Sequence, residues 1–269
     1  MPEKIAEIST EWALYSGHRE HFTHAVLSSA KTGHERLCVL GAGKSNDLDL
    51  EQLARAFSEV HLVDLEPSSV AQAISRQDPA TRSKLVPHTP LDLSLLSSKR
   101  SAKWQRKPPS AAELEQLSQA TLQQITNRLP GPFDVVVSAC VLTQLGFALT
   151  QAFREPHPLL GALRHCVLEL HLRTLLALTG PRGTALFVSD LASSSHYGLD
   201  QLPDDADLAQ VMRDVIAKRA FYQLARPDLI RDLLTELEPE HEPTEIAPWL
   251  WTGPQSRTYL VYGFSIVRA

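Results

Sequence analysis

The chain has 269 residues, 43% hydrophobic and 21% charged, with a formal net charge of -5. That supplies enough apolar material for a substantial core at an ordinary charge density for a globular protein. A mildly acidic chain is a poor match for a phosphate backbone, which argues against nucleic acid as a partner.

The N-terminal stretch MPEKIAEISTEW lacks the apolar centre of a signal peptide, and no apolar run of roughly 18 residues is present to span a membrane; a cytoplasmic protein is expected. Ile5, Ile8, Trp12, Tyr15, Phe22 and Val26 recur at helical spacing and predict a helix over 5–30. Leu37-Cys38-Val39-Leu40, closed by Gly41-Ala42-Gly43, is expected to be a buried strand and a glycine turn. Leu50, Leu53, Ala54 and Phe57 continue as a helix, with Ser45, Asn46, Asp47 and Asp49 as candidate caps. VHLVDL (60–65) is a second strand, so residues 37–65 form a βαβ unit. The three cysteines, Cys38, Cys140 and Cys166, are odd in number and lack a CxxC pair, so neither a disulfide framework nor a thiolate zinc site is expected.

A helix over 68–76 starts from Pro67, and a weak third strand runs from Leu85-Val86 toward Leu91-Asp92-Leu93. Residues 97–110 are expected to be an inserted basic loop, followed by a helix that ends before Pro130. FDVVVS (133–138) is apolar on both faces, as a central parallel strand requires. A long apolar helix over 159–178 stops at Gly180-Pro181, and TALFVS (184–189) is the next strand. Helical stripes at 208–216 and 227–237 precede two strand-like runs, Ile246–Trp251 and Tyr259–Val267. The turn between these runs is too short for a helix, so they pair antiparallel, and Pro248 puts the first of them on a sheet edge. The alternation predicts an α/β fold: a doubly wound, mostly parallel seven-stranded sheet with helices on both faces and a C-terminal antiparallel hairpin. Residues 1–34 form a helical lid ahead of a single domain over 35–269, with its insertion at 97–130.

The chemistry concentrates in 37–65. Glycines at a strand end let a ligand approach the backbone, and a following helix N-terminus aims amides at the same space. Asp64, twenty-one positions after Gly43, ends the second strand where an acid reaches the hydroxyls of a ribose. A dinucleotide and S-adenosylmethionine both fit that geometry. Asn46 in place of a third glycine, and the acids Asp47 and Asp49, disfavour a pyrophosphate.

ERLCVLGAGKSNDLDL (35–50) is similar to the first motif of class I S-adenosylmethionine-dependent methyltransferases. The resemblance implies S-adenosylmethionine as cofactor, held by Gly41, Ala42, Gly43 and Asp47, with Asp64 and Leu65 at the ribose. It implies that Asp92, with Leu93, meets the adenine amino group. FDVVVSACVLTQL (133–145) resembles the fourth-strand motif, which places Ala139 and Cys140 against the cofactor. The expected reaction is methyl transfer to O or N of a small molecule. The alternatives are a non-catalytic binding protein of the same fold and an NAD-dependent oxidoreductase.

No catalytic residue is evident. Cys140 lacks a preceding proline and a histidine neighbour and suits a packing role. The three-residue spacing of His18, His21 and His24 drifts around a helix, so no metal site is expected. Candidate substrate residues are Tyr15, His18 and Arg19 in the lid, His157, and His196 with Tyr197 after the fifth strand. Trp104 among Lys99, Arg100, Lys103, Arg106 and Lys107 forms a basic and aromatic cluster of the kind that can grip single-stranded nucleic acid, but such a cluster is more often a solvated loop.

Overall fold

A computed structural model describes residues 12–153, 156–253 and 256–268; the expected helical residues 5–11 lie outside that set. The strands are β1 (Arg36–Leu40), β2 (Glu59–Val63), β3 (Leu85–His88), β4 (Phe133–Ala139), β5 (Thr179–Ser193), β6 (Thr244–Thr252) and β7 (Thr258–Val267). The described helices begin with α1 (Ser16–Ser29), α2 (Leu50–Ala56), α3 (Pro67–Ser75), α4 (Pro79–Arg82) and α5 (Ser98–Arg106). They continue with α6 (Ala111–Arg128), α7 (Val141–Phe153), α8 (Leu160–Leu178), α9 (Leu208–Ala217) and α10 (Pro227–Leu237).

The strands form one sheet in the order β3-β2-β1-β4-β5-β7-β6. The first five are parallel, and β7 lies antiparallel to both β5 and β6. β4 is central because its side chains are apolar on both faces. Successive residues of β1 and β4 enter different cores, as the two-residue strand period dictates. Leu37, Val39, Val135 and Val137 meet Phe22 and Val26 of α1, Leu50 and Leu53 of α2, and Val70 of α3. Cys38, Leu40 and Val136 face the opposite core, filled by Leu114, Leu142, Leu163, Val215 and Ile230 from α6 to α10.

Three expectations change. β3 ends at His88, and Leu91 and Leu93 are buried on irregular chain beyond it. β5 begins at Thr179, and its pairing with β4 shifts register between Phe133 and Val135, which carries Gly180 and Gly183 inside the strand. Residues 98–106 are helical, although their charge and the following Pro108-Pro109 suggest a loop. Ser97 caps that helix through Arg100 N, and Trp104 packs into the core, so it offers no exposed stacking face. The prolines separate α5 from α6, which opens on a reciprocal Ser110–Glu113 capping box.

The N-terminal helix is tied to the domain. Phe22 and Val26 are fully buried, Thr23 Oγ1 accepts from Asp49 N at 2.9 Å, and Thr184 Oγ1 donates to Ser29 O at 3.1 Å. β6 lies on the sheet edge, with its irregularity between Ile246 and Trp249, where Pro248 cannot donate a ladder bond. No helix among the described residues is long and apolar enough to cross a membrane.

Candidate functional site

β1 delivers Gly41 to the carboxyl edge of the sheet in a left-handed conformation (φ +78°). A Cβ there would stand 2.5 Å from Val141 Cβ, so only glycine fits. The amides of Gly41 and Ala42 both donate to Val63 O, at 2.9 and 3.0 Å, which fastens the turn to the end of β2. Gly43 is also left-handed (φ +49°), but a Cβ on it would meet no described atom within 4 Å; its backbone borders open space.

Gly43 N donates to Asp64 Oδ2 at 2.8 Å, and Glu66 N donates to Asp64 Oδ1 at 2.8 Å. Each oxygen keeps acceptor capacity for a further donor. The cap of α3 is Glu66, through Ser68 N, so Asp64 is free of that structural duty. The helix after the glycine turn starts only at Leu50, and Asp49 already caps it by accepting from Gln52 N at 3.0 Å. The helix therefore starts beyond the glycine turn, with its Gln52 amide satisfied by Asp49, one of the expected caps.

Gly41, Ala42, Gly43 and Asp47 line a cavity of about 370 Å³, together with Ala139 and Cys140 at the end of β4. That volume falls within the roughly 300–1,000 Å³ of small-molecule sites. Asp190 at the end of β5 and Thr143, Gln144 and Phe147 of α7 form further walls. Tyr15, His18, Trp251 and Tyr259 complete the lining on the side of α1 and the hairpin.

Two carboxyls, Asp47 and Asp190, share the cavity with the cations Lys44 and Arg257. Burial pushes the Asp47 carboxyl up to about 7, with Asp190 adding repulsion and Arg19 opposing it. Burial likewise pushes Asp190 up to about 6, against a hydrogen bond from Trp251. The Cys140 thiol is raised well above its ordinary value by burial and by both carboxylates. It stays protonated and is no nucleophile.

His18 is buried, and its Nδ1 accepts from Trp249 Nε1 at 3.0 Å, so the ring proton sits on Nε2. Burial, with His21 and Arg19 nearby, drives its pKa down to about 3, and the ring is neutral. It stacks on Trp251 at 4.6 Å. His21 instead stacks on Trp249 and His24 bonds Ser28, so the three histidines diverge.

A second cavity of about 490 Å³ adjoins the first and shares Thr143, Phe147, Tyr222 and Arg257 with it. His196 lines it, with Ser193 Oγ 3.1 Å from Nδ1 and Tyr222 edge-on at 4.6 Å. Partial burial and the Arg257 charge lower its pKa. Leu65 and Asp92 line a third hollow of about 330 Å³ at the end of β3, where Asp92 Oδ1 accepts from Ser94 N at 2.7 Å. Leu93 is buried in the core beside it.

The remaining candidates stand apart from these cavities. Arg19 Nη1 donates to Trp12 O and to Asn46 O, at 3.0 and 2.8 Å, and its guanidinium covers the Trp12 ring. It clamps α1 to the glycine turn. His157 Nδ1 accepts from Leu159 N at 3.2 Å in the turn before α8. Tyr197 lies under Lys218.

Sequence reasoning missed Asp190, Trp251, Tyr259, Tyr222 and Arg257. Asp190 carries the signal that identified Asp64, an acid closing an apolar strand run. The hairpin rings carry none until the register puts Trp251 opposite Tyr259.

No protein-family model matches the chain, and no curated protein matches it by sequence. Solved structures do match in fold. The methyltransferase domain of bacterial CtHen1-CN is similar over 94% of this chain and 99% of its own, at 13% identity and a TM-score of 0.50. The N-methyltransferase NodS from Bradyrhizobium japonicum, in complex with S-adenosyl-L-homocysteine, is similar over 92% of this chain and 85% of its own (14% identity, TM-score 0.46). The arsenic (III) S-adenosylmethionine methyltransferase CrArsM from Chlamydomonas reinhardtii is similar over 92% and 73% (15% identity, TM-score 0.42). The strand order, the antiparallel β7 beside β5 and the first of these likenesses agree: the chain carries the class I S-adenosylmethionine-dependent methyltransferase fold.

Proposed function

We propose that the protein is an S-adenosylmethionine-dependent methyltransferase acting on O or N of a small molecule. The observation that carries this reading is the open glycine turn at Gly43, braced by Asp64 and facing a cavity lined by aromatic rings, two carboxyls (Asp47 and Asp190) and two cations (Lys44 and Arg257). That mixed lining suits a ligand that carries an ammonium and a sulfonium beside a carboxylate.

On this reading the amides and glycines of 41–43 border the methionine portion, and Asp47 receives its ammonium. Asp64 binds the ribose hydroxyls with its remaining acceptor capacity. Leu65, Asp92 and Leu93 serve the adenine side. Ala139 and Cys140 close the cavity under the reacting centre as small, inert surfaces. S-adenosylmethionine supplies an electrophilic methyl group carried on a sulfonium. The chain's own contribution is to exclude water and hold an acceptor in line, which accounts for large rate gains without a strong base. The second cavity, sharing Phe147 and Tyr222 with the first, is assigned to the acceptor. Three free cysteines fit a reducing, cytoplasmic setting.

The test is transfer of labelled methyl from S-adenosylmethionine to a small-molecule library, with calorimetric binding of S-adenosylhomocysteine measured in parallel. Binding with transfer supports the reading. Binding without transfer to any acceptor makes the protein a non-catalytic binder, and no binding removes the cofactor assignment.

A further inference from the structure

Asp190 stands at an irregularity of the sheet. The β5–β7 register shifts between Asp190 and Ala192, and Leu191 is fully buried, so the bulge directs the Asp190 side chain into the first cavity. Bulges of this kind re-aim side chains beside functional sites. The wall facing Asp190 is aromatic. Trp251 and Tyr259 are cross-strand partners stacked at 4.9 Å, and the Tyr15 ring lies 4.8 Å from Trp251. Trp251 Nε1 donates to Asp190 Oδ1 at 3.5 Å, which orients the carboxylate against the rings. Tyr222 N donates to Leu191 O at 2.8 Å, so the residue after Asp190 adjoins a side chain that lines both cavities.

We infer that the methyl acceptor is a primary or secondary amine that enters from the second cavity and meets the Asp190 carboxylate beside Tyr222 and Tyr259 in the first, with Asp190 accepting its proton. The inference rests on the methyltransferase reading above and specifies its substrate class. An amine is cationic before its proton leaves and cationic again after methylation, and both forms are favoured by a carboxylate and by aromatic faces. An alcohol or phenol brings no positive charge for the Asp190 carboxylate to pair with. Asp47 follows the glycine turn and goes with the cofactor; Asp190 lines the same cavity together with Phe147, Tyr222 and Arg257, which also line the second.

In the step, the ammonium loses a proton to the Asp190 carboxylate. The freed nitrogen lone pair forms the N–C bond as the methyl carbon–sulfur bond breaks, its electron pair staying on sulfur. The product leaves as a methylammonium and a thioether, and the Asp190 proton passes to water. Burial places Asp190 near 6, where a general base serves well at neutral pH. The titratable and charged groups acting on or beside this carboxyl are Asp47, Cys140, Tyr222, Tyr259, Tyr262 and Arg257.

The test titrates the full chain, saturated with S-adenosylhomocysteine, with benzylamine and phenethylamine, and with benzyl alcohol and benzoate as shape-matched controls. The amines are expected to bind about tenfold tighter than either control. Asp190→Asn should remove that advantage while S-adenosylhomocysteine still binds. Trp251→Leu, which removes the hydrogen bond that orients the carboxylate but keeps its charge, should weaken the amines severalfold. The advantage should shrink as pH falls from about 8 to about 5, where the carboxyls protonate. Equal binding of benzyl alcohol or benzoate, no binding of either amine, or full amine binding by Asp190→Asn overturns the proposal. Loss of S-adenosylhomocysteine by Asp190→Asn assigns Asp190 to the cofactor and also overturns it. Failure of the wild type to bind S-adenosylhomocysteine is a separate result, and it strikes the methyltransferase reading itself.

Discussion

The Asp64 carboxylate accepts a hydrogen bond from the Gly43 amide at 2.8 Å, joining the end of β2 to the glycine turn after β1. One side chain thereby shapes the turn and presents acceptors to the space beside it. Asp64→Ala removes both. Its affinity for S-adenosylhomocysteine should fall by about 1–3 kcal/mol, the usual cost of deleting a hydrogen-bonding partner, while the far-ultraviolet dichroism stays that of the wild type. Calorimetric titration of both proteins decides the point.

The two glycines of the turn should respond differently to a single methyl. Gly41→Ala drives a Cβ onto Val141 at 2.5 Å from a left-handed backbone, so it should destabilise the fold by about 1–3 kcal/mol. Gly43→Ala meets open space and bears only the left-handed strain of roughly 1–2 kcal/mol. It should fold, yet bind S-adenosylhomocysteine about tenfold or more weakly, because its methyl occupies ligand space. Thermal melts beside binding titrations separate the two effects. Equal binding by Gly43→Ala and wild type contradicts the placement of the cofactor.

The alternation of strands and helices and the closing antiparallel pair were legible because most of the strands advertise themselves. FDVVVSA is apolar on both faces, LCVL ends in glycine, and the closing runs leave no room for a crossover helix. The half of the site on 41–64 was legible for a local reason, since one βα turn and the next strand end make it. The half facing the acceptor was not. Asp190, Tyr222, Trp251 and Tyr259 come from three distant segments, and the β5 bulge and the β6–β7 register bring them together. The same holds for His18, whose partner Trp249 is 231 residues away. Residues 98–106 misled for the opposite reason. Their composition is that of a solvated loop, and the inward Trp104, the Ser97 cap and the Gln105 bond to Ala152 O hold them helical.

His18 and Trp249 should behave as a coupled pair. His18→Phe keeps a ring in the stack but leaves the Trp249 Nε1–H without its acceptor, so urea denaturation should show a loss of about 1–3 kcal/mol. Combining it with Trp249→Phe, which removes the donor, should cost less than the sum of the two single changes, and additive losses would show that the hydrogen bond contributes nothing.

The two buried carboxyls predict an unusual pH dependence of stability. Asp47, near 7, and Asp190, near 6, hold their protons more tightly folded than unfolded, where both titrate near the ordinary 3.8. Their contribution to stability is present at low pH and is lost as pH rises through about 4 to 7. His18, and the buried His171 of α8 whose Nε2 lies 2.7 Å from Ser138 Oγ, are lowered to about 3 and about 4 by burial, act oppositely and cost stability as pH falls below about 6.5. Asp47→Asn and Asp190→Asn should each melt higher than wild type at about pH 8, and the gain should vanish near pH 4. Melting curves across that range check it, and a lower melting point for both variants at pH 8 contradicts the buried acidic site.

The most direct measurement is calorimetric titration of the purified chain with S-adenosylhomocysteine and, separately, with NAD. The account predicts a micromolar dissociation constant for S-adenosylhomocysteine, about -8 kcal/mol, and no binding of NAD. NAD binding, or no binding of S-adenosylhomocysteine, would contradict it.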